Sequence, residues 1–245
     1  QRAPRDPPGG GGMSTLHLAI FDFDLTLSAV HVYYALSGGD SGMPVPPPYA
    51  RSERGQLAKV EQLDRSPQFG SSGGFAMSAF GGSDRVLRLQ ALFDDLRAAG
   101  VECVVCSRGY VGPIRKCLDQ VGLLKYFSEV YANIGGPPDQ SEFDREANQG
   151  APAPQEAAYL GSSANARWSS KGRLIAQCMR ERGLQYEEAL FIDDTRDEVQ
   201  SAERVCQTIL VQPAAGMGPE HLEQLRRMLP ARPPAPDVRM MVEGS

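Results

Sequence analysis

The run Phe21-Asp22-Phe23-Asp24-Leu25-Thr26-Leu27 sets two carboxylates two residues apart, directly after the apolar run Leu16 to Ile20. The apolar run reads as a buried strand, so the carboxylates stand where a strand gives way to a loop. Successive strand side chains alternate faces, so residues i and i+2 point the same way, and Asp22 and Asp24 can converge on one site. Such a pair divides chemical roles. One carboxylate attacks as a nucleophile and forms an acyl-phosphate, the other gives and takes a proton, and a divalent metal offsets the repulsion between anionic nucleophile and anionic substrate. Taken alone, the run equally suits an Asp-rich turn at a strand end.

Three further stretches carry compatible chemistry. Val101 to Cys106 is strand-like and ends in Ser107-Arg108-Gly109, just before a helical stretch that opens near Gly112-Pro113. A hydroxyl there, followed by a glycine and a helix N-terminus, offers an O–H and backbone N–H groups to a phosphoryl oxygen. Arg108 is the better candidate for a further anion contact than the scattered Arg51, Arg54, Lys59 and Arg65. Lys171 opens another helix with Ser170 or Ser169 available as its N-cap, and its cation compensates clustered carboxylates. Ala189 to Ile192 reads as a strand and ends in Asp193-Asp194-Thr195, adjacent acids that suit the oxygen-ligand preference of Mg²⁺.

Asp-x-Asp-x-Thr, Ser, Lys and Asp-Asp, in this order and each at a strand end or helix start, resemble the haloacid dehalogenase-like (HAD) hydrolase superfamily. The resemblance runs from about Leu16 to about Val211, two irregular insertions excepted. It implies that Asp22 is the nucleophile and Asp24 the acid that protonates the leaving oxygen and later activates water. It implies that Thr26 orders the loop through its hydroxyl beside the phosphate, that Ser107, Arg108 and Gly109 bind the phosphoryl group, and that Lys171 holds that group and Asp22 together. Mg²⁺ would be shared by Asp22, Asp193, Asp194 and the backbone carbonyl of Asp24. An acid at position 24 matches phosphatases or phosphomutases better than dehalogenases or P-type ATPases. Two departures concern the subfamily: Lys171 is followed by Gly172 rather than Pro, and the acidic motif reads Asp-Asp-Thr rather than Gly-Asp-Ser.

The elements that must position these residues alternate along the chain. Strands are expected at Leu16 to Phe23, Val101 to Cys106, Glu129 to Ala132, Ala189 to Ile192 and Thr208 to Val211. Helical stripes lie between them: Val86, Leu89, Phe93 and Leu96 before Gly100; Ile114, Cys117, Leu118 and Val121 before Gly122; Leu174, Ile175, Cys178 and Met179 before Gly183. Val199, Ala202 and Val205 continue the alternation, and a last helix is expected near His221 to Met228. The fold class is therefore α/β, a Rossmann-like doubly wound parallel sheet of HAD-like type with irregular, minimal cap insertions. In such sheets ligands bind beyond the carboxyl ends of the strands, where all four motifs fall.

The hydrolase domain is expected over 14–230, between a disordered Pro/Gly-rich extension at 1–13 and a Pro-rich disordered tail at 231–245, with Met13 a candidate natural start. The insertions, about 37–83 and 135–167, are rich in Gly, Ser and Pro, with one short helix expected around Gly55 to Leu63. A lightly capped site would admit a bulky substrate such as a phosphoprotein, or a small molecule under an ordered loop. His31, Tyr33 and Tyr34 either line the entrance or are partly buried aromatics of a helical turn. A formal charge of −5 argues against nucleic acid as the main partner, and no apolar stretch suits a membrane span. Five cysteines fit reduced thiols in the cytoplasm, and Cys103 and Cys106, three apart in a strand, face opposite sides and read as core. The expected function is a Mg²⁺-dependent phosphate monoester hydrolase. The alternatives are a non-catalytic HAD-like binding or regulatory protein and a phosphomutase.

Overall fold

The structure, a computed structural model, describes residues 16–136, 141–166 and 168–229. The expected disordered extension and tail lie outside these residues. Five strands form one parallel sheet: β1 (Leu18–Phe21), β2 (Glu102–Tyr110), β3 (Phe127–Asn133), β4 (Ala189–Asp193) and β5 (Gln207–Leu210), in the order β3-β2-β1-β4-β5. The alternation of strand side chains divides the core between the sheet's two faces. Ala19, Phe21, Cys103, Val105, Leu190 and Ile192 join one cluster, while Leu18, Ile20, Val104, Cys106, Ala189 and Phe191 join the other. Cys103 and Cys106 thus face opposite sides, and all five cysteines are buried free thiols.

Strand β2 does not end at Cys106. It continues with irregular register through Ser107, Arg108 and Gly109 to Tyr110, and the next helix begins at Val111. The first strand is shorter than expected because the chain turns away after Phe21 into a tight five-residue turn, Phe23–Leu27. The other strands and the last helix fall within two residues of expectation.

Helices α1 (Val32–Ser37), α2 (Glu53–Asp64), α3 (Pro67–Gly70), α4 (Phe75–Ala79) and α5 (Ser83–Ala98) fill the chain between β1 and β2. The stretch 37–83 is therefore more helical than its Gly, Ser and Pro content suggests. Leu57, Val60, Leu63, Phe69, Phe75, Ala76, Ala79 and Phe80 are buried, most of them in the larger core cluster. Apolar residues outnumbered in the sequence suffice once they share one interior, because packing outweighs local propensity. Helix α6 (Val111–Gln120) follows β2; short helices α7 (Glu142–Ala147) and α8 (Pro154–Ala157) occupy the second insertion. Helices α9 (Lys171–Arg182), α10 (Arg196–Ala202) and α11 (Pro219–Arg227) complete the chain.

The two insertions are tied together. Glu53 is almost wholly buried, and its carboxylate accepts the backbone N–H groups of Gly112 (2.9 Å), Gly161 (2.8 Å) and Gly135 (2.7 Å). The Asp144 carboxylate accepts the N–H of Arg51 at 2.9 Å and the Ser52 hydroxyl at 2.5 Å. No described helix is long and apolar enough to cross a membrane.

Candidate active site

Sheet register sets the site. Phe21 pairs with Ile192 on one side and Val105 on the other, so one step further along the strands Asp22 stands beside Asp193 and close to Ser107. The Asp22 N–H donates to the Ile192 carbonyl at 2.8 Å, which extends the ladder by one bond and fixes the Asp22 side chain at the strands' carboxyl end. The chain then turns through Leu25, the only described non-glycine residue at positive φ (57°). Asp22 and Asp24 precede that step, both with extended backbone, and the left-handed residue turns the chain that follows them. The turn is held at its base, where the Ser28 N–H donates to the Phe23 carbonyl at 2.9 Å.

Lys171, the first residue of α9, is 2 % exposed. Its Nζ donates to Asp22 Oδ1 at 2.7 Å and to Asp193 Oδ2 at 2.6 Å. Ser170 caps the helix, its hydroxyl accepting the Arg173 N–H at 3.3 Å. Gly172 explains the departure after the lysine: a Cβ there would lie 2.7 Å from the Ser201 carbonyl oxygen of α10. Only a glycine lets the two helices approach closely enough to seat Lys171 over the carboxylates.

A cavity of about 200 Å³ is lined by Asp22, Asp24, His31, Ser107, Arg108, Lys171, Asp194, Thr195 and Glu198. It gathers seven of the residues singled out from the sequence: Asp22, Asp24, His31, Ser107, Arg108, Lys171 and Asp194. Asp193 lies beneath, fully buried, its second oxygen accepting the Thr195 N–H at 2.7 Å. Thr26 lies outside the cavity. Its hydroxyl is fully buried without a hydrogen-bond partner, and the loop is held through its carbonyl, which accepts the Met217 N–H at 2.8 Å. Gly109 also lies behind the cavity, its N–H donated to the Ser107 hydroxyl at 3.1 Å rather than left open.

Arg108 reaches the rim, but not as a free cation. Its Nε and Nη2 both donate to Glu198 Oε1, at 3.0 and 2.7 Å, and its guanidinium lies 5.1 Å from the centre of the Trp168 ring. Glu198 was not singled out from the sequence. It stands four residues after Asp194, on the first turn of α10, and that spacing was the available signal. His31 does line the entrance. Its Nδ1 is 3.4 Å from Asp24 Oδ2, without hydrogen-bond geometry, and its ring stacks on Tyr34 with centroids 3.8 Å apart. No residue of 37–83 or 135–167 lines this cavity among the described residues.

The electrostatics follow from packing acids away from water. Burial pushes Asp24 up to about 7, against hydrogen bonds from the Tyr33 and Val32 backbone. Burial also lifts Asp22 well above the usual carboxylate range, with Lys171 pulling back and Asp193 adding to the lift. Burial disfavours the Lys171 ammonium, yet Asp22 and Asp193 outweigh it and keep that group charged. Asp194 is raised by burial and by its neighbour Asp193, and His31 is lowered by burial. Oxygens of Asp22, Asp193 and Asp194 lie within 4.8 Å of one another. Three acids against one lysine leave uncompensated charge, and an all-oxygen set suits a hard divalent cation such as Mg²⁺.

No protein-family model matches this chain, and no curated protein does. Among solved structures the chain is similar to a haloacid dehalogenase-like family hydrolase from Streptococcus pneumoniae, at 13 % identity over 87 % of this chain and 92 % of that one, with a TM-score of 0.41. It is similar to a HAD-superfamily hydrolase of subfamily IA from Geobacter sulfurreducens, at 16 % identity over 90 % and 99 % of the two chains, TM-score 0.43. It is also similar to the N-terminal part of a Bacteroides fragilis protein containing a phosphatase domain complexed with Mg, at 13 % identity over 90 % of this chain and 42 % of that one, TM-score 0.47. The Streptococcus pneumoniae and Geobacter sulfurreducens proteins carry the family description that the four ordered motifs resemble.

Proposed function

We propose that the chain is a Mg²⁺-dependent phosphate monoester hydrolase working through an aspartyl-phosphate on Asp22. The observation that carries this reading is the convergence of Asp22, Asp24, Ser107, Lys171 and Asp194 on one cavity, with Lys171 bridging Asp22 and Asp193.

In the first half-reaction an Asp22 carboxylate oxygen forms a bond to phosphorus as the ester P–O bond breaks, and Asp24 gives its proton to the leaving alcohol oxygen. In the second half, Asp24 takes a proton from water, whose oxygen bonds to phosphorus as the acyl-phosphate bond breaks, releasing phosphate and restoring Asp22. A group titrating near 7 suits both duties at neutral pH. Lys171 favours the Asp22 carboxylate against the lift of burial and faces the transferring phosphoryl, whose transition state spreads negative charge over its equatorial oxygens. The Ser107 hydroxyl, at the cavity wall, is placed to hydrogen-bond those oxygens. Asp22, Asp193, Asp194 and the Asp24 carbonyl would hold Mg²⁺, which when bound neutralises charge on the phosphoryl oxygens.

The partner is then a phosphorylated small molecule or protein, in a cytoplasmic setting that suits five reduced thiols. A phosphomutase fits less well, since no described insertion residue lines the cavity to retain a bisphosphorylated intermediate. The test is turnover of a generic aryl phosphate by wild type and Asp22→Asn, each with Mg²⁺ and with EDTA. Turnover that requires both Asp22 and the metal supports the reading; turnover retained in Asp22→Asn, or indifferent to chelation, refutes it.

A further inference from the structure

The phosphatase reading fixes where the alcohol half of the substrate must sit. The leaving oxygen has to lie at Asp24, so the group attached to it passes directly by what surrounds that carboxyl. On one side is His31, with Nδ1 3.4 Å from Asp24 Oδ2 and its side chain only 26 % exposed. The His31 ring is backed by Tyr34, stacked at 3.8 Å with a 23° interplanar angle, and Tyr33 meets Tyr34 edge-on at 5.8 Å. The flat guanidinium of Arg108 also lines the cavity, fixed by Glu198 and 5.1 Å from the centre of the Trp168 ring.

Two flat groups therefore line the cavity that the leaving group enters, one backed by a ring and one a cation already neutralised by a carboxylate. Phosphosugar recognition would instead call for several free donors and acceptors beyond the phosphate. Here Arg108 is not free for that role, since its Nε and Nη2 both donate to Glu198 Oε1. Tyr34 supports the same inference from the opposite direction: it is a large aromatic residue left 45 % exposed, and its covered face serves to hold His31 flat. With a volume of about 200 Å³, the cavity is smaller than the roughly 300–1,000 Å³ usual for drug-sized ligands, and suits a phosphate with one small ring.

We propose that the site takes phosphate esters whose leaving group is a planar aromatic ring, seated against the His31–Tyr34 stack. This rests on the phosphatase reading for the position of the leaving oxygen. The recognition is by ring shape and π-face, since aromatic contacts add attraction beyond the area they bury.

The discriminating substrates are benzyl phosphate and cyclohexylmethyl phosphate, both esters of primary alcohols of closely similar basicity and size, differing in the flatness of the ring. Wild type should favour the benzyl ester in kcat/KM by about threefold to tenfold. Tyr34→Leu and His31→Leu should each move that ratio toward one, with folding checked by circular dichroism. In parallel, the non-hydrolysable benzylphosphonate and cyclohexylmethylphosphonate would be titrated calorimetrically with Mg²⁺ present, and the same preference should appear in Kd. Turnover of both esters at equal kcat/KM, or a preference that survives both substitutions, would overturn the ring subsite while leaving the phosphatase intact. No turnover of either ester, with the phosphonate preference present and lost in Tyr34→Leu, would instead sink the phosphatase reading and keep the subsite. Absence of both turnover and phosphonate preference would remove both.

Discussion

Lys171 bridges Asp22 and the buried acid beneath it, its Nζ standing 2.7 Å from Asp22 Oδ1 and 2.6 Å from Asp193 Oδ2. The arrangement joins α9 to β1 and β4 through one charge, so it serves stability and chemistry together. Removing one partner of a buried ion pair usually costs about 3–5 kcal/mol, since the charge left behind is uncompensated. Lys171→Met should therefore lower the urea midpoint strongly in EDTA. Mg²⁺ should recover more stability in the variant than in wild type, because a cation at Asp22, Asp193 and Asp194 replaces part of the lost charge. An equal Mg²⁺ increment in both proteins would rule out this shared compensation.

Asp24 should make the protein's stability fall as pH rises. Its folded pKa, near 7, lies above the unfolded value of about 3.9, so the folded state holds the proton more tightly. The stability this contributes is fully present below about pH 4 and is lost as pH climbs through 7. Asp24→Asn removes the dependence, so in EDTA the variant should gain on wild type between about pH 4 and 8, by at most about 4 kcal/mol. Denaturant melts at the two pH values measure the difference directly. In wild-type kinetics, kcat/KM for a poor leaving group should fall on the alkaline side of about 7, where the acid is spent. A flat alkaline limb would take the proton-donor role from Asp24.

Most of the candidate site groups are legible in the sequence because they sit where an apolar strand pattern stops, and parallel strands bring such points to one edge. Asp22, Ser107 and Asp194 are of this kind, whereas Lys171 is legible as the capped start of a helix. What escaped were residues whose role depends on a second element. Glu198 matters because α10 turns it toward Arg108, and Arg85 because α5 begins beside the turn that carries Asp24. Thr26 was assigned through its hydroxyl, whereas its carbonyl makes the contacts. The helices of 37–83 were hidden for a related reason. Their apolar residues are spaced sparsely among Gly, Ser and Pro, and only the shared interior with α6 and the core makes them helical.

Arg85 should act on turnover as well as on folding. A cation in the first turn of α5 opposes the helix dipole, and burial lowers its pKa to about 10, so the position needs a compensating role. Its Nη1 donates to the carbonyls of Leu27 (2.7 Å) and Phe80 (3.0 Å), and its Nη2 to that of Thr26 (3.2 Å), which pins the turn carrying Asp24. Gly216 leaves room for it, since a Cβ there would collide with Nη2. Small misplacements of a proton donor cost rate steeply, so Arg85→Met should lower kcat by about tenfold to a hundredfold with a smaller change in KM. Arg85→Lys should recover only part, because one ammonium cannot replace the fork that spans three carbonyls. Wild-type kcat in a merely destabilised Arg85→Met protein would make the residue a fold anchor and nothing more.

Glu53 should control three distant backbone segments at once. One carboxylate accepts the N–H groups of Gly112 at the start of α6, Gly135 after β3 and Gly161 in the second insertion, so these amides share a single protecting group. Glu53→Gln keeps the shape but turns one acceptor into a donor facing an N–H, at a cost of about 1–3 kcal/mol for the unsatisfied group. Hydrogen exchange should then accelerate at Gly135, whose N–H meets the Oε2 position, or at Gly112 and Gly161 together if the amide flips. In Glu53→Ala all three should accelerate, with a larger loss of stability. Exchange at the three glycines that stays independent in Glu53→Ala would show that the insertions are held to the core separately and that the carboxylate is not their common tie.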